Sequence, residues 1–102
     1  MNSYINRQLC LLSEVVSEYQ SEKITLNQMV NKLDSITEVM NSESWKDDVF
    51  NIYLALEEVN AVTLDENRQL NNFEKNLISE KLFELKLLIE KYSKIRTTNP
   101  TE

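Results

Sequence analysis

Apolar residues recur along most of this chain at alternating steps of four and three positions, the spacing that places them on one face of an α-helix. The clearest case is the segment 45–66, WKDDVFNIYLALEEVNAVTLDE. Its apolar stripe consists of Trp45, Val49, Ile52, Leu56 and Val59, flanked by Tyr53 and Val62. About half a turn away, a second series at the same spacing is acidic and contains one leucine: Asp47, Asn51, Leu54, Glu58, Ala61 and Asp65. The pattern predicts a helix that packs on one side and presents an acidic surface on the other.

The same periodicity predicts three more helices, over about 4–20, 26–41 and 72–93. The first stripe is Ile5, Leu9, Leu12, Val16 and Tyr19, widened by Leu11 and Val15; the second is Leu26, Met29, Val30, Leu33, Ile36 and Met40; the last is Ile78, Leu82, Leu85, Ile89 and Tyr92, broadened by Phe73, Leu77, Leu88 and Phe83. The connections are short, so consecutive helices should be antiparallel neighbours. We expect an all-α, single-domain antiparallel four-helix bundle over residues 1–93, with a polar, frayed tail over 94–102.

Helix starts are marked by a capping residue followed three positions later by an acid or an amide. Three pairs have this spacing at the predicted starts: Thr25 with Gln28, Ser44 with Asp47, and Asn71 with Glu74. We therefore expect Asn41 to Ser44 to be a polar connector.

Composition excludes several kinds of fold and activity. The chain contains no glycine, which tight β-hairpins and Gly-rich phosphate-binding loops require. It also contains no histidine, which removes zinc hydrolases, Ser-His and Cys-His nucleophiles and the Glu-x-x-His pairs of di-iron bundles. We expect no enzymatic activity, no metal and no cofactor.

Adjacent acids also fail as metal or acid/base dyads, because neighbouring side chains on a helix diverge by about 100°. Asp47, Glu58 and Asp65 share a face but stand two or three turns apart, too far for one ion. The acids are compatible with a solvated face or with a binding surface. Leu54 in their midst favours binding, since apolar anchors ringed by polar groups are how interfaces are built.

The single cysteine, the single tryptophan and the tyrosines are interpreted as structural residues. Cys10 follows Leu9 in an apolar helical segment, so we expect a buried or half-buried thiol that forms no internal disulfide. Trp45 is expected in the core with its indole N–H near the surface, and the tyrosines at core edges with their hydroxyls at the rim. The lone thiol, with neither a signal peptide nor an apolar membrane span, predicts a cytoplasmic protein.

The net charge of −6 argues against binding nucleic acid through its phosphates. The charge is unevenly distributed. Residues 1–66 contain twelve acids and four bases, whereas residues 67–102 contain five acids and seven bases. A partner attracted by this chain is therefore expected to be a basic protein that meets the first two thirds.

The segment YQSEKITLNQMVNKLDSI, the tryptophan-led helix ending in ALEEVNAVTLDE and the long last helix together carry a resemblance. Over residues 4–92, with ITLNQMVNKL and LEEVNAV as its motifs, the chain resembles the small acidic immunity proteins of contact-dependent growth inhibition and related polymorphic toxin systems, and is distantly similar to the colicin D immunity protein. The resemblance implies binding of a toxin's nuclease domain, an RNase or tRNase, in the cytoplasm of the producing cell.

Charge and periodicity supply the expected contacts. A nuclease active site is basic because it grips phosphates, so an acidic surface can take the substrate's place and be steered there. The expected contact residues are Asp47, Asn51, Leu54, Glu58 and Asp65, followed by Asp34, Glu38 and Glu43. We expect a 1:1 complex and a free protein that is monomeric.

Two other classes of function stay open at this point. A regulatory or adaptor bundle for another basic protein, or a mimic of DNA charge, would use the same acidic surface. An immunity gene would lie directly downstream of a toxin gene, whereas an adaptor gene need not. A self-associating bundle instead predicts that Leu11, Leu54, Phe83 and Leu87 form one contiguous patch.

Overall fold

Four helices follow one another: α1 (Asn2–Gln20), α2 (Leu26–Met40), α3 (Glu43–Glu66) and α4 (Asn72–Thr97). The computed structural model describes the backbone of residues 2–97 and the side chains of residues 4–93. The all-α prediction is confirmed. α3 begins two residues earlier than expected, and α4 continues to Thr97, so the first part of the predicted frayed tail is helical. Residues 98–102 of that tail lie outside the described part of the chain.

The helices form a closed ring in which each packs against its sequence neighbours and α1 packs against α4. The direction of each helix follows from side-chain contacts near one end of the bundle. Near that end, Tyr4 at the start of α1 donates to the carbonyl of Val39 at the end of α2. Trp45 at the start of α3 lies against Tyr92 towards the end of α4. The helices therefore run up, down, up and down, as short connections require.

The predicted stripes form one continuous core. Every member of the α3 stripe is buried, and Trp45 has no exposed surface. The buried apolar residues are Leu9, Leu12, Val15, Val16, Leu26, Met29, Val30, Leu33, Met40, Trp45, Val49, Ile52, Leu56, Val59, Ile78, Leu82, Leu85, Ile89 and Tyr92. Ile5, Tyr19, Ile36 and Tyr53 pack against this cluster from its edges.

Five residues assigned from the sequence to the core or its margin lie at the surface instead. Phe73 and Phe83 are 74% and 62% exposed, Leu11 and Val62 are 46% and 42% exposed, and Cys10 is exposed as well. Each lies on the outward side of its helix. A step of one residue turns the side chain by about 100°, so Cys10 points outward although Leu9 beside it is buried.

Two of the predicted caps are confirmed. The backbone N–H of Gln28 donates to Thr25 Oγ1 at 3.1 Å, and the N–H of Thr25 donates to Gln28 Oε1 at 2.9 Å. At the start of α4, the N–H of Glu74 donates to Asn71 Oδ1 at 2.8 Å, and the N–H of Asn71 donates to Glu74 Oε1 at 3.0 Å. Both helix starts thus use a reciprocal pair of hydrogen bonds.

The predicted cap formed by Ser44 and Asp47 is wrong. Ser42 caps α3, and its hydroxyl accepts the backbone N–H of Trp45 at 3.2 Å. The cause lies in the preceding helix, which ends in the left-handed conformation of Asn41 at φ 51°. Because this conformation closes α2 within one residue, Ser42 is already in cap position and the connector shortens to two residues.

Candidate functional site

The acidic outer face of α3 is the strongest candidate for a functional surface. All eight expected contact residues are exposed: Asp34, Glu38, Glu43, Asp47, Asn51, Leu54, Glu58 and Asp65. Because α3 begins at Glu43, this residue belongs to the helix and extends its acidic face by one turn. From Glu43 to Asp65 the face is about 33 Å long, at about 1.5 Å per residue.

The net negative charge of α3 is as large as that of the whole protein. α3 carries seven acids and one base, a net charge of −6 that equals the net charge of the whole chain. The acids are Glu43, Asp47, Asp48, Glu57, Glu58, Asp65 and Glu66, and the base is Lys46. The sequence located the excess of acids in residues 1–66, and the structure locates it more closely, in α3.

Two of these seven acids are engaged within the protein. Asp48 accepts a hydrogen bond from the hydroxyl of Tyr92 at 2.8 Å and lies 3.9 Å from the ammonium of Lys91. Glu66 pairs with Arg68. Among side chains 4–93, no ion pair involves the remaining α3 acids or the two expected acids of α2. Their negative charge is left to solvent or to a partner.

α2 contributes to the same surface. The Asn60 amide on α3 donates to Asn27 Oδ1 on α2 at 2.9 Å, which fixes the side of α2 that faces α3. Burial raises the pKa of Tyr53, and the nearby carboxylates of Asp34 and Glu57 raise it further. Asp34 therefore lies close enough to α3 to act on Tyr53. Glu38 follows Asp34 by one turn on the same side of α2.

The eight expected residues do not form a single cluster. Those on α2 join the first half of α3, near Trp45, whereas Glu58 lies beyond the middle of α3. Asp65 lies about 27 Å along α3 from Asp47, at about 1.5 Å per residue, and it is close in sequence to the base Arg68. One small partner surface cannot contact the whole set equally, and only the first half of α3 has the two acids of α2 beside it.

Phe50 is a prominent residue of this surface that was not expected from the sequence. Its side chain is 56% exposed, four residues before Leu54, which is 40% exposed. The two form a short apolar row inside the acidic face. The sequence contains a signal for this row, because residues four positions apart on a helix are neighbours and Leu54 had already been recognised as an apolar residue among the acids.

Between α2 and α3 a depression of about 220 Å³ opens beside Phe50. We call it the α2–α3 notch; it is lined by Asp34, Thr37, Lys46, Val49, Phe50 and Tyr53. The walls are mainly apolar, with carboxylate and ammonium groups among the lining side chains. The acidic surface therefore contains a recess as well as charged groups.

Trp45 fixes the orientation of this surface. Its indole N–H donates to Thr37 Oγ1 on α2 at 2.9 Å, and its ring meets that of Tyr92 on α4 edge-on at a centroid distance of 5.2 Å. The expectation of a core tryptophan is confirmed, and its N–H partner lies in the neighbouring helix. With Tyr92 donating to Asp48 in turn, α3 is held by contacts to both α2 and α4, and its opposite face points outward.

The patch expected for a self-associating bundle does not form. Leu11 lies on α1 and Leu54 on α3, and these helices are diagonally opposed in the ring, without backbone contact. Phe83 and Leu87 lie together on the outer side of α4. The four residues are therefore distributed around the bundle instead of forming one surface.

Within the described residues, no group of three or more acidic, cysteine or histidine side chains is arranged to hold a metal ion. None of the helices in this part of the chain has the length and apolarity needed to cross a bilayer. No protein family model, curated protein or solved structure matches the sequence or the fold of this chain. The described residues of this surface are exposed carboxylates around the apolar row of Phe50 and Leu54.

Proposed function

We propose that this protein is an immunity protein that binds and neutralises the nuclease domain of a cognate toxin, an RNase or tRNase, through the acidic surface of α2 and α3. The observation that carries the proposal is the net charge of −6 on α3, whose acids, apart from Asp48 and Glu66, form no ion pair among side chains 4–93 and include the exposed outer row Glu43, Asp47, Glu58 and Asp65. In this proposal the protein acts by binding alone, in the cytoplasm of the toxin-producing cell.

The physical mechanism follows from the chemistry of nucleases. A nuclease groove is positively charged because it must hold a phosphate backbone, and an acidic helix can occupy that groove. Complementary charge accelerates encounter and fixes orientation more than it adds affinity. Affinity then comes from the centre of the contact, where Phe50 and Leu54 can be desolvated against the partner.

The dimensions of the surface suit such a complex. The outer face of α3 is about 33 Å long, and the bundle is about 20 Å across. A stable interface of ordinary size takes about 800 Å² from each partner. The α2–α3 side is thus close to the size of one such contact area and too small for two, consistent with a 1:1 complex.

The test is co-purification with the C-terminal domain of the protein encoded immediately upstream, followed by an assay of that domain's RNase activity. We expect a 1:1 complex that inhibits the nuclease and weakens as salt rises, because exposed charges are screened. A matched control is Glu80→Lys, an equal charge reversal at an exposed position on α4, which should leave binding intact.

Absence of a complex, or of such a neighbouring gene, would refute the immunity function and favour an adaptor for another basic protein. A complex that is insensitive to salt and to charge reversal on α3 would refute the acidic surface as its binding site.

A further inference from the structure

The α2–α3 notch has the size of one long side chain. Its volume of about 220 Å³ is below the ~300–1,000 Å³ of pockets that hold drug-sized ligands or cofactors. At about 30 Å³ per water it would hold roughly seven water molecules. A small-molecule ligand is therefore a poor fit, whereas the end of one side chain from a partner protein fits well.

The electrostatics of the notch favour a cation. Asp34 lines it directly, and Glu57 stands close enough to Tyr53 for its charge to act on the same hydroxyl as that of Asp34. Among side chains 4–93, neither carboxylate has an ion-pair partner. With Lys46 also in the lining, Asp34 and Glu57 leave a net charge of −1 around the notch, which an entering cation would offset.

The walls favour a planar cation. Phe50 and Tyr53 both line the notch, and more than half of the Phe50 side chain is exposed. Guanidinium groups stack on aromatic faces and bind carboxylates through two parallel hydrogen bonds, whereas an ammonium is a compact and strongly hydrated charge. Aromatic walls beside a carboxylate are thus better matched to arginine than to lysine.

We propose that the α2–α3 notch receives an arginine side chain of the toxin's nuclease domain, which stacks between Phe50 and Tyr53 and pairs with Asp34. The inference rests on the proposed function and deepens it by naming the partner group. It also assigns a role to Lys46, the one base in the lining, whose charge opposes the incoming arginine. Removal of that charge should therefore strengthen the complex.

The experiment measures Kd for the full chain and the upstream-encoded domain by isothermal titration calorimetry at fixed salt. Phe50→Ala should raise Kd roughly 10- to 30-fold and Asp34→Asn about tenfold, as for central aromatic and charged contacts. Lys46→Gln should lower Kd about two- to fivefold, the effect of removing one half-buried like charge.

Matched controls are Phe83→Ala and Glu80→Gln, which make the same changes on exposed positions of α4 and should leave Kd within about twofold. Far-UV circular dichroism and thermal melts show that each variant is folded, which we expect because Phe50 and Asp34 are exposed. Replacement of the domain's arginines one at a time should identify one arginine in whose absence Asp34→Asn no longer changes Kd.

Two results would overturn the inference while leaving the proposed function in place. The first is a wild-type complex whose Kd is unchanged by Phe50→Ala and Asp34→Asn. The second is a complex that Lys46→Gln weakens, since the notch would then receive an acidic group. Absence of any wild-type complex would instead refute the proposed function, and the arginine contact with it.

Discussion

Replacement of Thr37 by valine tests whether the hydrogen bond from the Trp45 indole fixes the start of α3. Trp45 is completely buried, and its N–H donates to Thr37 Oγ1 at 2.9 Å. Valine has nearly the shape of threonine, so packing is conserved while the acceptor is lost. The indole N–H would then be left without a partner at a position that water does not reach.

The expected loss is about 1–3 kcal/mol, the cost of leaving a buried polar group without its hydrogen bond. Thr37 is half-buried, so local rearrangement can admit some water and the lower half of that range applies. For a domain of this size, each kcal/mol lowers Tm by roughly 4–8 °C. Since small domains have only about 5–15 kcal/mol of stability, the effect should be easy to measure.

Urea denaturation provides the assay, followed by the fluorescence of the chain's single tryptophan and by far-UV circular dichroism. The matched control is Thr63→Val on α3, where the hydroxyl donates to the carbonyls of Val59 and Asn60 in its own helix. That change leaves no buried donor without a partner and should cost less than about 0.5 kcal/mol. Equal stability of the two variants would show that the Trp45 hydrogen bond does not stabilise this junction.

Three further predictions concern the surface and the α3–α4 connection. Glu58→Lys should weaken the complex by about 2–5 kcal/mol if the carboxylate is buried in a pair there, with an unchanged thermal melt of the free protein; wild-type affinity in calorimetry would remove this part of α3 from the interface. The pKa of Glu74 is lowered to about 2, first by its hydrogen bonds from Arg68 and then by the backbone N–H of Asn71. The ionised Glu74 therefore stabilises the fold fully above the ordinary carboxyl pKa, and this stabilisation is lost as pH falls towards 2. Glu74→Gln should consequently flatten the dependence of Tm on pH between 5 and 2. A variant with the wild-type slope would contradict this prediction. Cys10 is exposed and should react with a thiol reagent in the native protein as readily as in urea; protection that only urea removes would place it in the core.

Helix number, approximate helix bounds and the central stripes of the core could be predicted because each depends on local sequence. A stripe at steps of four and three specifies one helix face whatever the rest of the chain does, and every member of the α3 stripe is buried. The Thr25 cap is similarly local, since both partners lie within one turn. The acidic face was predictable for the same reason, as the reverse side of a well-defined stripe.

Features that depend on two segments at once were not predictable. Ser42 and Ser44 are both good caps, and the choice between them was made by the left-handed conformation of Asn41 at the end of α2. The two hydrogen bonds from Arg68 to Glu74 depend on the path of the connection between α3 and α4. The notch is a further example, because it exists only where α2 and α3 pack together.

The adjacent acids Asp47 and Asp48 show why a count of charges in a sequence overestimates the number of carboxylates available for binding. They are one residue apart on α3, so their side chains diverge by about 100° and meet different surroundings. Asp48 turns towards α4, where it accepts the hydroxyl of Tyr92 and lies near Lys91, so its charge is already used in holding the bundle together. Asp47 faces outward and has no ion pair among side chains 4–93. The buried stripe that begins with Trp45 sets the rotation of α3, the hydrogen bond from Tyr92 to Asp48 agrees with it, and that rotation determines which carboxylates remain available to a basic partner.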